Sequence, residues 1–244
     1  MRLVLVFAGV IVLVIFVGVI TMIGNFNELE RSRSSTSAAL PNTVHAEPPI
    51  APVIAGWQPV VSDDHPYAFD VPGNWHVENP ETTVGFQEQN GKLLLLHGVG
   101  RFKNNFCPGL DVSSRAQAGF TTIDADEVTD ASDAARETMT RWAEAAYGSA
   151  DGSVQPQVDV TEAQPVDVFS GTVEASQVTA TVRPAEPSAC GPPSVTITAV
   201  ALPLRVDPGS GQYHVHVMLA DQEVDDAVAP EVQNEIIGTI RRAA

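Results

Sequence analysis

The chain has 244 residues, 44% of them hydrophobic, and its 30 acidic side chains outnumber 13 basic ones to give a formal net charge of −17. This composition is typical of a globular protein and excludes a largely disordered one. The acidic balance also excludes nucleic acid as an expected partner, because phosphate recognition depends on clustered Lys and Arg.

The first predicted element is a transmembrane helix over residues 3–23, an apolar run without a charged side chain. A helix of this length spans the roughly 30 Å hydrocarbon core of a bilayer. A cleaved signal peptide is the alternative, but its apolar region normally covers about 7 to 15 residues and ends close to a cleavage site. We therefore predict an uncleaved signal anchor over residues 1–30. The flanking arginines leave its orientation undecided.

A linker and one domain follow the anchor. Residues 31–56 are rich in Ser, Thr, Ala and Pro and lack helical or strand periodicity, which is typical of a flexible tether. Its hydroxyl groups are possible acceptors for O-glycans, although a bare linker is the preferred interpretation. Residues 57–244 are long enough to form one domain around a single hydrophobic core.

The first half of this domain opens with predicted strands. They cover residues 67–71, 75–77, 83–87 and 92–102, and the last two flank Asn90-Gly91, a strong hairpin signal. After Cys107, the Ala-rich segment 112–120 predicts a short helix.

The clearest helical pattern lies between Ala131 and Tyr147. Its apolar residues Ala135, Met139, Trp142 and Ala146 share one face. We interpret this stripe as core rather than as a cofactor site. Gly148 stands where a left-handed glycine commonly ends a helix.

Three β-rich stretches and a helix complete the chain. The stretches cover residues 166–182, which Gly171 divides into two candidate pieces, 195–205 and 213–220, with a turn at 207–211. The last helix begins near Pro230 and is expected to bury Val232, Ile236, Ile237 and Ile240, with Arg241 and Arg242 complementing its dipole. This order predicts an α+β fold with a largely antiparallel β-sheet flanked by helices.

The two cysteines, Cys107 and Cys190, lie in Pro- and Gly-rich segments that are typical of loops. An oxidising compartment would pair them, and closing a loop of this size would stabilise the fold by roughly 4.5 kcal/mol. Two unrelated free thiols are the alternative. We predict a Cys107–Cys190 disulfide and, with it, a domain outside the cytoplasm.

Signatures of catalysis are missing from the sequence. There is no G-x-S-x-G elbow and no glycine-rich nucleotide loop. Gly209-Ser210-Gly211 lies in a predicted hairpin turn rather than between a strand and a helix. Glu127, Asp130 and Asp133 are assigned to a loop and a helix start, where carboxylates complement the dipole. We therefore predict no catalytic residue and no cofactor.

Histidines are the remaining candidate ligands. His214 and His216 alternate along a strand and share a face, where they could bind a metal together with an Asp. The preferred interpretation is that the intervening valines face the core while the histidines face a wetter side. His65, beside Asp63 and Asp64, is assigned to a solvated loop. No metal site is predicted.

Three short motifs carry a resemblance to a known family. They are Tyr67-x-Phe69-Asp70-Val71-Pro72-x-x-Trp75-x-Val77, Cys107 followed by Ser113-Ser114-Arg115-Ala116-x-x-Gly119, and Trp142-Ala143-x-Ala145-Ala146-Tyr147-Gly148. The chain resembles an actinobacterial membrane-anchored extracytoplasmic domain of unknown function. It is also similar to the PsbP-like fold of actinobacterial envelope lipoproteins, which implies an αβα sandwich. The resemblance carries over no catalytic residue. Unlike those lipoproteins, this chain has no cysteine near its anchor to lipidate.

These features together predict a non-catalytic, single-pass protein of the cell membrane whose extracytoplasmic domain is an interaction or accessory module. The expected partner is another envelope or secreted protein. A small-ligand or lipid carrier is the alternative, and it would require an apolar pocket between sheet and helix.

Overall fold

A computed structural model describes residues 50–109 and 113–243. The predicted anchor at 1–30, its helix at 3–23 and the linker as far as residue 49 lie outside the described residues. Among those described, no helix is both long and apolar enough to cross a membrane. Packing begins before Trp57, because the backbone N–H of Val53 donates to Asp70 Oδ2 at 2.5 Å.

The described residues contain twelve strands, two α-helices and one short 3₁₀ helix, at Leu204–Val206. The helices are α1 (Ala131–Tyr147) and α2 (Pro230–Gly238). The strands are β1 (Trp57–Val60), β2 (Tyr67–Pro72), β3 (His76–Val77), β4 (Thr83–Gln87), β5 (Leu93–Phe102), β6 (Ala116–Asp124), β7 (Gln157–Val160), β8 (Gln164–Val168), β9 (Val173–Arg183), β10 (Ser194–Ala201), β11 (Gln212–Gln222) and β12 (Arg241–Arg242).

Two antiparallel sheets organise these strands. The large sheet runs β3-β5-β6-β11-β10-β9-β7, with β4 beside β5 and β8 beside β9, and the small sheet runs β1-β2-β12. Two features of the prediction are thereby confirmed: the α+β class and the largely antiparallel sheet. The predicted break at Gly171 also exists, since β8 and β9 lie on either side of it.

The large sheet is buried on both of its faces. On one face, Trp142 and Met139 of α1 pack against Val217 and other residues of the central strands. On the opposite face, the small sheet and α2 contribute residues such as Phe69 and Ile236. Strand β11 is consequently buried along almost its whole length.

The predicted short helix at 112–120 is wrong, because residues 116–124 form strand β6. Ala116, Ala118 and Phe120 alternate on the face towards the small sheet. A Cβ at Gly119 would lie 3.0 Å from Leu96 Cβ and 3.1 Å from two backbone carbonyls of β5, so the strands approach closely at this glycine. Packing between neighbouring strands thus overrides the helical preference of alanine.

Helix α1 has the predicted bounds, and its N-terminus is capped by Asp130, which accepts a hydrogen bond from the N–H of Asp133 at 2.9 Å. Trp142 is 1% exposed, which confirms its assignment to the core. The predicted left-handed glycine is wrong, because Gly148 has φ −69° and ψ 166° and continues as extended chain.

Helix α2 begins at Pro230, as predicted, and the predicted apolar residues Ile236, Ile237 and Ile240 are buried while Val232 is only partly buried. The dipole role predicted for Arg241 and Arg242 is wrong. Both residues form β12 beside β2. Arg241 makes an ion pair with the fully buried Asp70 at 2.8 Å.

Candidate functional site

Cys107 and Cys190 form a disulfide, with their Cα atoms 5.9 Å apart. This confirms the predicted pairing. The bond joins the loop that follows β5 to the loop that precedes β10. The guanidinium of Arg115 also contacts this second loop, donating from Nη1 to the carbonyl of Cys190 at 3.3 Å.

A groove lies beside this disulfide, and we call it the disulfide groove. It consists of one cavity of about 250 Å³ and an adjoining one of about 390 Å³. The two cavities share lining residues at the end of α1 and in the loop before β10, including Tyr147, Ser188 and Pro192. The loop is held to the helix by a hydrogen bond from the N–H of Ala185 to the carbonyl of Tyr147 at 2.8 Å.

The walls of the first cavity are mainly apolar. Strand β4 contributes Val84 and Phe86, β11 contributes Leu219, and the loop around the disulfide contributes Phe106. Burial and the nearby Asp221 raise the pKa of the Tyr147 phenol, so this side chain stays neutral at any physiological pH. The cavity therefore offers aromatic and aliphatic contacts beside a neutral hydroxyl group.

An ion-pair network borders this apolar wall. Arg115 lies between Asp221 and Asp226, with N···O distances of 3.1 Å to each, and its guanidinium stacks on Phe106 at 3.9 Å from the ring centroid. Burial raises the pKa of Asp221 to about 6, and Arg115 opposes this shift only in part. Lys103 Nζ lies 3.9 Å from the other carboxylate oxygen of Asp226, so two carboxylates and two cations form one ion-pair network at the edge of the groove.

A second cluster of polar side chains lies elsewhere in the domain, and we call it the histidine cluster. It brings together His65 from the β1–β2 loop, His97 from β5 and His214 from β11. The ring of His65 lies 4.9 Å from that of His97 and 5.3 Å from that of His214, measured between centroids. Asp64 accepts from His97 Nδ1 at 2.7 Å.

Hydrogen bonds determine which ring nitrogens of His65 and His214 carry a proton. Asp207 can only accept, so His214 Nε2 donates to it at 3.2 Å. In neutral His214, Nδ1 is then an acceptor, and His65 Nδ1 donates to it at 3.1 Å. This hydrogen bond between His65 and His214 forms between neutral rings. Two imidazolium ions could not make it, because neither would have an acceptor nitrogen.

Two expectations for the histidines are wrong. His214 and His216 do share a face, but that face is covered by the small sheet, and the two residues are 7% and 0% exposed. Burial lowers the pKa of His216 to about 3. His65 is also buried, at 7% exposure, although the adjacent Asp63 and Asp64 are solvated as predicted. Burial and the neighbouring histidines lower the pKa of His65 to about 4.

The other candidate residues of the sequence analysis lie in the loops and helix start that were predicted for them. Asp130 and Asp133 cap the start of α1. Glu127 lies in the preceding loop and makes ion pairs with Lys92 and Arg141. Ser210 lies in the turn before β11 and donates to the carbonyl of Asp207 at 2.9 Å. Across residues 50–109 and 113–243, no group of three or more His, Cys, Asp or Glu side chains is arranged to hold a metal ion.

The sequence analysis did not identify the charged side chains that pair at the disulfide groove. Arg115 and Asp221 are 106 residues apart in the chain, and no local pattern joins them. One signal was available, because Asp221 directly follows the apolar stretch 213–220, so that burial of an acid was foreseeable. His97 and Asp207 were missed for the same reason, since their partners are remote in sequence.

The fold and the groove define a class of protein: a disulfide-bonded α+β domain whose antiparallel sheet is covered on both faces. The chain belongs to the family described as Domain of unknown function (DUF8017), whose family model matches residues 50–244. This confirms the predicted resemblance to a domain of unknown function. No curated protein matches the chain.

Among solved structures, the chain is similar to the solution structure of cyanobacterial PsbP (CyanoP) from Synechocystis sp. PCC 6803. The two share 11% sequence identity, the match covers 78% of this chain and 94% of that chain, and the TM-score is 0.41.

Proposed function

We propose that this protein is a non-catalytic interaction module of the cell envelope that binds a partner protein through the disulfide groove. The observation that carries the proposal is the groove itself, an apolar recess bordered by an ion-pair network on the surface of the domain. Aromatic and aliphatic pockets of this kind hold the side chains that dominate binding energy at protein interfaces.

Charge indicates the chemistry of the partner. Residues 1–49 contain three acidic and three basic side chains, so residues 50–244 carry 30 − 3 = 27 acidic and 13 − 3 = 10 basic ones, and with them the whole net charge of −17. At the groove, Asp221 and Asp226 pair with Arg115 and Lys103, so the excess of acidic residues is a property of the whole domain rather than of these four side chains. A complementary partner presents an apolar or aromatic side chain next to a basic one.

The proposal includes membrane attachment through residues 3–23, with the domain outside the cytoplasm. The length of the apolar run supports the anchor. The disulfide supports the compartment, because such bonds persist in oxidising environments. Intact mass of the protein from its native membrane tests the anchor. We expect an unprocessed N-terminus, and a mature species that starts near residue 47 would contradict it.

A photo-crosslinking amino acid tests the groove in the full-length protein within its native envelope. It is placed at Ser188, which lines both cavities, and in a matched control at Val160, which is 40% exposed on β7. We expect Ser188 to capture a basic protein that Val160 does not capture, with a yield that falls as salt is raised. Identical capture from both positions, or capture that salt leaves unchanged, would contradict the proposal.

A small-ligand or lipid carrier is the second candidate. The cavity of about 390 Å³ favours it, because ligand sites typically occupy about 300 to 1,000 Å³. The cavity lies at the end of α1 rather than between helix and sheet, which ranks this function second. Native mass spectrometry of the purified protein would reveal a co-purified small molecule if the carrier function is correct.

A further inference from the structure

The β1–β2 loop, residues 61–66, lies over the histidine cluster. His65 is the one buried residue of these six, and the others are exposed or half-buried. Its ring is surrounded by those of His97, His214 and Phe120, at centroid distances of 4.9, 5.3 and 6.3 Å. One aromatic side chain therefore makes the buried contact that holds this loop on the sheet.

Two exposed residues of the loop add polar contacts. The carboxylate of Asp64 accepts from His97 Nδ1 at 2.7 Å, and the N–H of Asp63 donates to the carbonyl of Pro80 at 3.4 Å. Segments that bury little apolar surface open locally at a smaller free-energy cost than the core of a domain. The β1–β2 loop, with its single buried residue, is a segment of this kind.

The hydrogen bond between His65 and His214 limits how many protons the two rings can hold. Their Nδ1 atoms are 3.1 Å apart, and one of the two must accept. One added proton is tolerated, because the other ring still offers a neutral nitrogen as acceptor. A second added proton removes the last acceptor. Two imidazolium ions would then face each other without a hydrogen bond, and like charges at this distance repel.

The surrounding charges favour protonation of two of the three rings. His97 is paired with Asp64, and His214 Nε2 lies 3.2 Å from Asp207, so a carboxylate stabilises the charged form of each. Arg242 of β12 opposes the charge on His214. Among the described residues, His65 has no hydrogen bond to a carboxylate. Burial, His97 and His214 lower the pKa of His65 to about 4, and Asp64 opposes this shift.

Two further ionisable side chains lie behind the cluster. The ring of Tyr67 lies 4.9 Å from that of His214, and the ring of His216 lies 4.7 Å from that of Phe69 on β2. Burial raises the pKa of Tyr67 and lowers that of His216 to about 3. As the pH falls, His65 in the loop therefore takes up a proton before His216 does beneath β2.

We propose that the β1–β2 loop opens in response to acid: protonation of His65 beside His97 and His214 separates the loop from the sheet while the rest of the domain stays folded. Opening exposes the rings of Phe120 and His214, which are buried when the loop is closed. A fall in pH is thereby converted into a local change of the protein surface.

The size of the response follows from the two states of His65. In the open loop the ring is solvated and its pKa returns towards 6.5, whereas burial and the neighbouring rings lower it to about 4 in the closed loop. The closed loop is thus fully stabilised above pH 6.5 and loses this stabilisation as the pH falls towards 4. Protonation of His65 raises the ratio of open to closed loop by up to about 300-fold.

This inference does not depend on the proposed function. No residue of the histidine cluster or of the β1–β2 loop lines either cavity of the disulfide groove. A groove that binds no partner would therefore leave the acid response unchanged.

The test uses nuclear Overhauser contacts between aromatic rings of the full chain in detergent micelles. His65 with Phe120 reports closure of the loop, and Phe86 with Trp142, whose centroids are 5.9 Å apart, reports the core under α1. We expect both contacts at pH 7. By pH 4 the first should lose at least half of its intensity, because His65 is then at least half protonated, and the second should keep its intensity.

A matched pair of variants tests the role of His65. His65→Phe keeps a buried ring that cannot be protonated, and His76→Phe removes a histidine whose side chain is 54% exposed on β3. We expect the contact between position 65 and Phe120 to persist at pH 4 in His65→Phe and to be lost in His76→Phe as in the wild type.

A third variant keeps the test decisive if His65→Phe does not fold. Asp207→Asn removes the carboxylate that stabilises charged His214. Loss of the contact between His65 and Phe120 should then move to lower pH by about half a pH unit, the shift typical of one partly exposed ion pair.

Three outcomes would overturn the proposal. The first is a contact between His65 and Phe120 that keeps its full intensity at pH 4. The second is loss of both reporter contacts over the same pH range, which would mean that the domain unfolds as a whole. The third is equal loss of the loop contact in His65→Phe and in the wild type.

Discussion

The disulfide groove and the histidine cluster bury titratable side chains in opposite ways. At the groove, the acid Asp221 is buried together with its cation Arg115 and keeps a pKa of about 6. By contrast, His65 of the cluster and His216, two residues after His214 on β11, are buried as neutral bases, with pKa values lowered to about 4 and about 3. The groove thus retains charge at neutral pH and is available for recognition. His65 and His216 are neutral and serve packing, so that acid rather than a partner should perturb them.

The largest expected effect is the loss of stability when a core side chain is removed from the face of the sheet that α1 covers. Trp142→Ala should lower the free energy of unfolding by about 3 to 5 kcal/mol, because it removes a buried indole from the core under α1. The midpoint of thermal unfolding of the full chain should fall by at least about 6 °C. Leu93→Ala is the control, since Leu93 is 58% exposed. A fall of less than about 2 °C for Trp142→Ala would contradict its assignment to the core.

The next effect concerns the disulfide, which belongs to the groove alone. Replacing both Cys107 and Cys190 with Ser should cost about 2 to 4 kcal/mol of stability. The pH dependence that comes from the histidine cluster should remain. Chemical denaturation at two pH values measures both quantities. Peptide mapping without reductant should find the two cysteines linked, and free thiols in protein alkylated during isolation from its native cells would contradict the pairing.

Acid should destabilise the protein through its buried histidines. A histidine whose pKa is lowered on folding stabilises the protein fully above its unfolded pKa of 6.5 and less as the pH falls towards the folded value. We therefore expect stability to fall between pH 6.5 and about 4. His216→Phe should make this fall shallower, since it removes one titrating group from an aromatic environment formed by Phe69 and Phe120. Denaturation series of both proteins across this pH range measure the slopes, and equal slopes would refute the assignment.

The smallest effect is expected at Asp221, where the sign is reversed. Its pKa is raised on folding, so its contribution to stability is fully present below about pH 3.8 and is lost as the pH rises through about 6. In the wild type, the titration of Asp221 therefore lowers stability as the pH rises, whereas the titration of the histidines raises it. Asp221→Asn should change stability at neutral pH by only about 1 kcal/mol and steepen the rise in stability between pH 4 and 6. The same denaturation series reports the slope, and an unchanged slope would show that Asp221 does not titrate there.

The sequence correctly predicted the features that depend on the spacing of residues within one element. The stripe of α1 repeats within 17 residues, and its bounds were predicted correctly. Strand β6 was not predicted, because the alanines and glycine of residues 116–120 favour a strand only through contacts with β5 and β11. The burial of His216 depends on the small sheet, whose strands come from both ends of the domain. The disulfide was predictable because two cysteines allow a single pairing, whereas Arg115 and Asp221 had many possible partners.

The small sheet has a consequence for the order in which the protein is made. Strand β2 lies between β1 and β12, and its Asp70 pairs with Arg241, 171 residues later in the chain. A nascent chain lacks β12 until almost the whole domain has been synthesised. During that time β2 has an open edge, and Asp70 is without its cation. An exposed strand edge invites pairing with other chains. Folding must therefore protect this edge until residues 241 and 242 have been synthesised.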